Sequence, residues 1–126
     1  MAEKRTTYKI QDLGGIGRVY VTAEAFTVIA ALAATEIDGV ASVAGNATNE
    51  LVSKLGMKNL SKGVRVQIEG HTAQIDLHLN IRYGASIPGT SRRVQEKVQS
   101  AIENMTGLQV SNVNVHIAGI EMEQNQ

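Results

Sequence analysis

Three side chains in this sequence have the types and spacing that could bind a metal ion: Asp76, His78 and His116. Asp76 and His78 lie two positions apart in a stretch of alternating polarity, and His116 occupies a polar position in a later stretch of the same kind. Strand residues two apart point to the same face, so the three side chains could meet if these strands were neighbours. A ligating histidine also needs a second hydrogen-bonded partner and partial enclosure. The sequence shows neither feature for His71, His78 or His116, so we interpret the three histidines as solvent-facing.

Nucleophilic catalysis has no basis in the sequence. The chain contains no Cys, and no Gly-x-Ser-x-Gly sequence is present. Glu36 and Asp38 are close together, but they lie at the end of a predicted helix, where solvated charge is common. We therefore expect a non-enzymatic protein with no cofactor and no metal.

The charge balance argues against nucleic acid as a partner. Twelve Lys and Arg offset twelve Asp and Glu, and aromatic residues make up only 3% of the chain, whereas single-strand binders stack bases on aromatic rings. An RNA-binding module stays a less favoured alternative. It is suggested by a G-x-x-G sequence at residues 14–17, a lysine-bearing loop at residues 57–63, and four arginines: Arg65, Arg82, Arg92 and Arg93. In KH domains the G-x-x-G loop joins two helices, whereas here it precedes a predicted strand.

One domain is predicted, over residues 15–121. The polar residues 1–14 are interpreted as a flexible tail, and residues 122–126 as a second polar tail. The N-terminus does not have the pattern of a signal peptide. The longest apolar run, residues 28–34, is far shorter than the ~20 residues that span a bilayer. We expect a cytoplasmic chain that does not insert into a membrane.

Hydrophobic periodicity predicts an α+β fold in the order β-α-β-β-β-α-β, with the helices mainly on one face of a mixed sheet. The clearest signal is a long hairpin over residues 64–83, in which apolar and polar residues alternate. A second helix, capped by Thr90 or Ser91, has an apolar stripe ending at Met105. The remaining predicted elements are strand 17–21, helix 23–36 with Thr22 as N-cap, strand 40–44, a short helix at 48–55, and a final strand with a bulge or bend at Ser111-Asn112.

The first helix is apolar on almost every side, which indicates burial on more than one side. Either it is the central helix of the domain, or another subunit covers one of its faces. Phe26, Ile29 and Leu32 are therefore candidate contact residues. Cations near the start of the second helix oppose the helix dipole, so Arg92, Arg93 and Lys97 complete the candidate interaction surface, with an ordinary solvated face as the alternative.

An ordered set of short segments resembles the alkaline shock protein family of bacterial envelope-stress and general-stress proteins. The segments cover residues 15–19 (GIGRV), 34–40 (ATEIDGV), 62–64 (KGV), 75–77 (IDL), 83–84 (YG), 87–88 (IP), 94–96 (VQE), 104–108 (NMTGL), 113–117 (VNVHI) and 119–120 (GI). The resemblance implies a cytoplasmic bacterial protein without catalysis that associates with itself. Some members are held near the membrane by a membrane-anchored partner, and one branch is linked to the control of fatty-acid synthesis at acetyl-CoA carboxylase. The resemblance supplies no catalytic or cofactor residues.

Together, these features predict an envelope-stress or scaffold protein that works by self-association and by binding other proteins, at the cytoplasmic face of the membrane when its partner is anchored there. The alternatives are a regulator of acetyl-CoA carboxylase and, less favoured, the RNA-binding module.

Overall fold

The structure, a computed structural model, describes residues 7–12, 16–44 and 63–122. These ranges contain two helices and six strands. In chain order they are β1 (Thr7–Asp12), β2 (Arg18–Thr22), α1 (Ala23–Thr35), β3 (Val40–Val43), β4 (Val64–Glu69), β5 (Thr72–Arg82), α2 (Ile87–Thr106) and β6 (Gln109–Glu121). The predicted α+β class and the predicted order from β2 onward are confirmed.

Strand β5 is the centre of the main sheet. Strand β6 runs parallel to it along its whole length, from Thr72↔Gln109 to Arg82↔Glu121. Strands β4 and β3 are both antiparallel to β5, with β4 paired to its first half and β3 to its last residues. Because β6 occupies one edge of β5, β3 and β4 share the other edge, and the mixed sheet is three strands wide.

The alternation of the hairpin sequence separates the two faces of this sheet. Every second residue of β5 is buried against the helices: Ala73, Ile75, Leu77, Leu79 and Ile81 are each 0% exposed. The intervening polar residues of β5 form the opposite face. The core therefore lies between one sheet face and the two helices.

Helix α1 begins at the predicted cap, because the Thr22 side chain accepts a hydrogen bond from the Ala25 backbone N–H at 3.1 Å. Four buried alanines, Ala30, Ala31, Ala33 and Ala34, form its inner side. Their small side chains allow α1 to pack closely against α2 and the sheet.

Helix α2 begins earlier than predicted. Its N-cap is Ser86, which accepts a hydrogen bond from the Gly89 N–H at 3.1 Å, so the assignment of the cap to Thr90 or Ser91 was wrong. Pro88 fits within the first turn, where no intrahelical donor is needed. Thr90 is instead 0% exposed and begins a buried stripe that continues through Val94, Val98, Ile102 and Thr106. Met105, predicted to end the apolar stripe, is 66% exposed.

The predicted bulge in the last strand is confirmed. The pairing of β6 with β5 passes from Val110 to Asn112, which leaves Ser111 without a partner in the register. A second shift skips Ala118. The regular part of β6 between the two shifts therefore runs over residues 112–117.

The N-terminal segment differs from the tail predicted for residues 1–14, because Thr7–Asp12 forms β1. This strand pairs antiparallel with β2 in a separate two-stranded sheet. The Tyr8 ring packs edge-on against Phe26, with ring centroids 5.9 Å apart. Packing against the core, rather than local propensity, orders this strand, since an isolated two-stranded hairpin is marginally stable at best.

Several predicted features lie outside the described residues: the short helix at 48–55, Lys58 and Lys62 of the lysine-bearing loop, the first two glycines of the G-x-x-G sequence, and residues 123–126. In the part of the chain that the structure covers, neither helix combines the length and apolarity needed to cross a bilayer.

Candidate functional site

The polar face of the sheet brings the three candidate metal ligands together. His78 and His116 are direct neighbours across β5 and β6, and their rings stack with centroids 4.6 Å apart and planes 13° apart. Asp76 Oδ1 lies 3.5 Å from His116 Nε2 and accepts a hydrogen bond from Asn114 Nδ2 at 3.0 Å. The sequence predicted that these side chains could meet if their strands were neighbours, and β5 and β6 are neighbours.

The arrangement of this cluster does not favour a metal ion. Nitrogen lone pairs lie in the plane of an imidazole ring, so two nearly parallel stacked rings do not converge on one ion. The His116 side chain is also 52% exposed, which leaves it open to solvent. Among the described residues, no group of three or more His, Cys, Asp or Glu is arranged to hold a metal.

An open cleft of about 720 Å³ lies at the C-terminal end of α2. Lys9 and Ile10 of β1, His71 of the β4–β5 turn, and residues 104–107 line it. The described residues of its lining include one histidine and no carboxylate, so these residues do not assemble an acid–base pair.

The predicted interaction residues of α1 fall into two groups, one buried in the core and one exposed. Phe26 is 0% exposed and Ile29 is partly buried against the core, so Phe26 was wrongly assigned to an interaction surface. Its aromatic ring fills the space between α1 and β1. Leu32, by contrast, is 41% exposed and points away from the core.

A second exposed surface, which we call the helix face, consists of Leu32 on α1, Glu36 at the C-cap of α1, and Arg93 and Lys97 on α2. Lys97 Nζ lies 3.2 Å from Glu36 Oε1, and this ion pair links the two helices. Leu32 is one turn before Glu36, and Arg93 is one turn before Lys97, so all four residues share the outer side of the helix layer. Arg92 is exposed beside this face.

Two residues that the sequence analysis missed hold the outer side of β6. The Glu103 carboxylate accepts a hydrogen bond from the Val110 N–H at 3.0 Å, and the Gln95 amide donates to the Val113 carbonyl at 3.0 Å. Both side chains belong to α2 and both partners to β6. No local pattern predicts such contacts, because they depend on how α2 lies over the sheet.

The fold and these surfaces define a small α+β domain in which two helices cover one face of a mixed sheet and the other face is polar. The chain belongs to the alkaline shock protein 23 family, described as having a cell envelope-related function, whose model matches residues 12–122. This match confirms the resemblance that the short ordered segments of the sequence indicated.

Relatives of known sequence are similar over most of their length. The uncharacterised Bacillus subtilis protein YqhY is 37% identical over 108 residues, which cover 86% of this chain and 80% of YqhY. The uncharacterised B. subtilis protein YloU is 29% identical over 108 residues, 84% of this chain and 90% of YloU. The uncharacterised Streptococcus pyogenes protein Spy1614 is 28% identical over 118 residues, 92% of this chain and 96% of Spy1614.

Among solved structures, a variant of the MamM CTD is similar at 17% identity with a TM-score of 0.49, covering 78% of this chain and 95% of that one. A likeness at this level supports no argument about this chain.

Proposed function

We propose that this protein serves its envelope-related role without catalysing a reaction, by associating with copies of itself and by binding a membrane-anchored protein partner at the cytoplasmic side. The family assignment supports the envelope connection. The observation that carries the partner-binding part is the exposed Leu32, one turn from the charged residues that join α1 to α2 on the helix face.

The helix face has the composition of a protein contact site. Binding surfaces commonly combine a desolvated apolar centre with a polar rim. Leu32 supplies an exposed apolar side chain, and Glu36, Arg93 and Lys97 supply charged groups on the same side of the helix layer. On α2 three exposed cations, Arg92, Arg93 and Lys97, lie within two turns beside one exposed carboxylate, Glu96, so the partner segment should carry acidic residues beside an apolar one.

The polar sheet face supports the non-catalytic part of the proposal. His78 and His116 stack on each other on an open sheet face, and His71, which lines the cleft, has no carboxylate beside it among the described lining residues. Efficient acid–base catalysis requires a positioned group within hydrogen-bonding reach of an enclosed substrate.

Co-sedimentation of the full chain with membranes of its host cells tests partner binding. We expect Leu32→Asp to abolish co-sedimentation, because a carboxylate would be desolvated in the contact and would repel an acidic partner. Met105→Asp also replaces an exposed apolar side chain by a carboxylate, but at a position outside the helix face. This control variant should co-sediment like the wild type.

Circular dichroism must show that both variants keep the native fold. Binding of a folded Leu32→Asp variant at the wild-type level would refute the helix face as the partner site. Light scattering tests self-association separately, and a strictly monomeric wild-type chain at high concentration would refute that part.

A further inference from the structure

Strand β6 has an outer edge whose hydrogen-bonding groups can be assigned one by one. The Gln109 N–H donates to the His71 carbonyl at 3.0 Å, so the backbone groups of Gln109 face β5. In a parallel ladder, alternate residues direct both N–H and C=O to the same neighbour. After the bulge at Ser111, the groups of Asn112, Asn114 and His116 face β5. Those of Val113, Val115 and Ile117 therefore point outward.

Side chains of α2 already occupy the first part of this edge. Glu103 accepts from the Val110 N–H and Gln95 donates to the Val113 carbonyl. Beyond that point the outward groups of Val115 and Ile117 form no hydrogen bond with any other residue that the structure describes. These two residues provide two N–H donors and two C=O acceptors in a row.

The free part of the edge, between the two register shifts of β6, carries neither of the side-chain features that commonly prevent strand pairing. Natural proteins block open edges with charged residues or proline. Residues 109–120 contain no Lys, Arg, Asp, Glu or Pro. The opposite edge of the sheet, by contrast, carries the exposed charges Arg65 and Glu69 on β4. Among the described residues, the two edges therefore differ in their charges, and β6 is the edge with fewer of them.

We infer that β6 pairs antiparallel with β6 of a second copy of this chain, about a two-fold axis that passes through His116. This inference rests on the proposed self-association and identifies its interface. With the axis at His116, Val115 lies opposite Ile117 of the second copy, and each pair exchanges two hydrogen bonds. All free outward groups of both residues are then satisfied, and the sheet becomes six strands wide.

The neighbouring registers fit less well. An axis through Val115 would require the Val113 carbonyl, which Gln95 already occupies. An axis through Ile117 would place the second register shift, at Ala118, inside the pairing. The side chains also match about His116, because the partly buried apolar Val115 and Ile117 meet on the helix side of the extended sheet. On the polar side of the sheet, His116 of one copy lies beside His116 of the second copy.

Cysteine crosslinking tests the register, because the chain has no other Cys. Opposed residues in a non-hydrogen-bonded antiparallel pair have Cβ atoms about 4.5–5.5 Å apart, close to disulfide range. We expect His116→Cys to form a disulfide-linked dimer under mild oxidation. His78→Cys is the matched control: it lies on the same face, one strand further from the axis, so the two copies of residue 78 would be ~14 Å apart and should not crosslink.

Removing one outward donor tests the hydrogen bonds. Ile117→Pro deletes an N–H that the β5–β6 ladder does not use, and proline is tolerated at such edge positions. We expect light scattering to show at least a tenfold weaker dimer, whereas Ile117→Val, which keeps the N–H, should dimerise like the wild type. If circular dichroism shows that Ile117→Pro is unfolded, Ile117→Lys takes its place as a charged edge block.

The β6 interface would be overturned if the folded edge variants still formed the wild-type oligomer and no crosslink formed at position 116. The proposed self-association would then still stand. A wild-type monomer would overturn both. Crosslinking at position 78 in preference to 116 would overturn the register.

Discussion

Gly39 lies so close to Thr90 that a methyl group on Gly39 would be 2.8 Å from the Thr90 hydroxyl oxygen. This contact joins the α1–β3 turn to the first turns of α2. Gly39 also has a φ of +101°, which side-chain-bearing residues rarely adopt. Two independent constraints therefore require glycine at this position.

Gly39→Ala should lower the free energy of unfolding by about 2–4 kcal/mol, since backbone strain and overpacking both contribute. Gly84→Ala is the matched control, because Gly84 has a similar φ of +99° but no atom of the described residues beyond its chain neighbours lies within 4 Å of an added Cβ. It should lose only about 1–2 kcal/mol. Urea denaturation of both variants measures the difference. Equal losses would show that the contact with Thr90 is unimportant.

Phe26→Ala should destabilise the protein by about 3–5 kcal/mol, because it empties a fully buried site in the core. Leu32→Ala should change stability by less than about 1 kcal/mol, since Leu32 is largely at the surface. Thermal and urea unfolding test both values. A small effect at Phe26 would contradict its assignment to the core.

The ion pair between Lys97 and Glu36 should contribute little to stability. Its side chains are 46% and 61% exposed, and exposed pairs of this kind contribute less than about 1 kcal/mol. A double-mutant cycle with Lys97→Ala and Glu36→Ala should give a coupling energy of about 0.5 kcal/mol that decreases with added salt. A coupling above about 2 kcal/mol would show that the pair is important for holding the helices together.

Glu103→Ala should destabilise the protein by about 1–3 kcal/mol, because it leaves the largely buried Val110 N–H without an acceptor. Glu103→Gln retains an acceptor oxygen and should lose less. Hydrogen exchange at the Val110 amide should accelerate in the alanine variant and much less in the glutamine variant. Unchanged protection in Glu103→Ala would mean that another group satisfies this N–H.

The hairpin of β4 and β5 was predictable because its alternation is local. Apolar residues two positions apart must share a face, so the sequence from Val64 to Ile81 specifies both the strands and their buried side. The bulge at Ser111 followed from the same rule, since the apolar parity changes between Val110 and Val113. The cap at Thr22 was also local, because a capping side chain and the N–H that it accepts from lie within one turn.

Other features depended on packing. Phe26 and Leu32 belong to the same apolar helix, and the helix sequence alone could not show that Tyr8 and the sheet cover one side while the other stays exposed. The α2 cap was misplaced because both Ser86 and Thr90 have capping side chains. Only the position of α2 on the sheet shows that Thr90 is buried in the helix.

The sequence by itself determined the strand and helix order, the buried face of β5 and the family, because periodicity and short ordered segments are properties of neighbouring residues. Only the tertiary structure decided that His78 stacks on His116 and that Lys97 reaches Glu36. It also decided that side chains of α2 bind the first part of the β6 edge and leave the rest open. These contacts join residues far apart in the chain, and their geometry is fixed by the packing of the helices on the sheet rather than by any local preference.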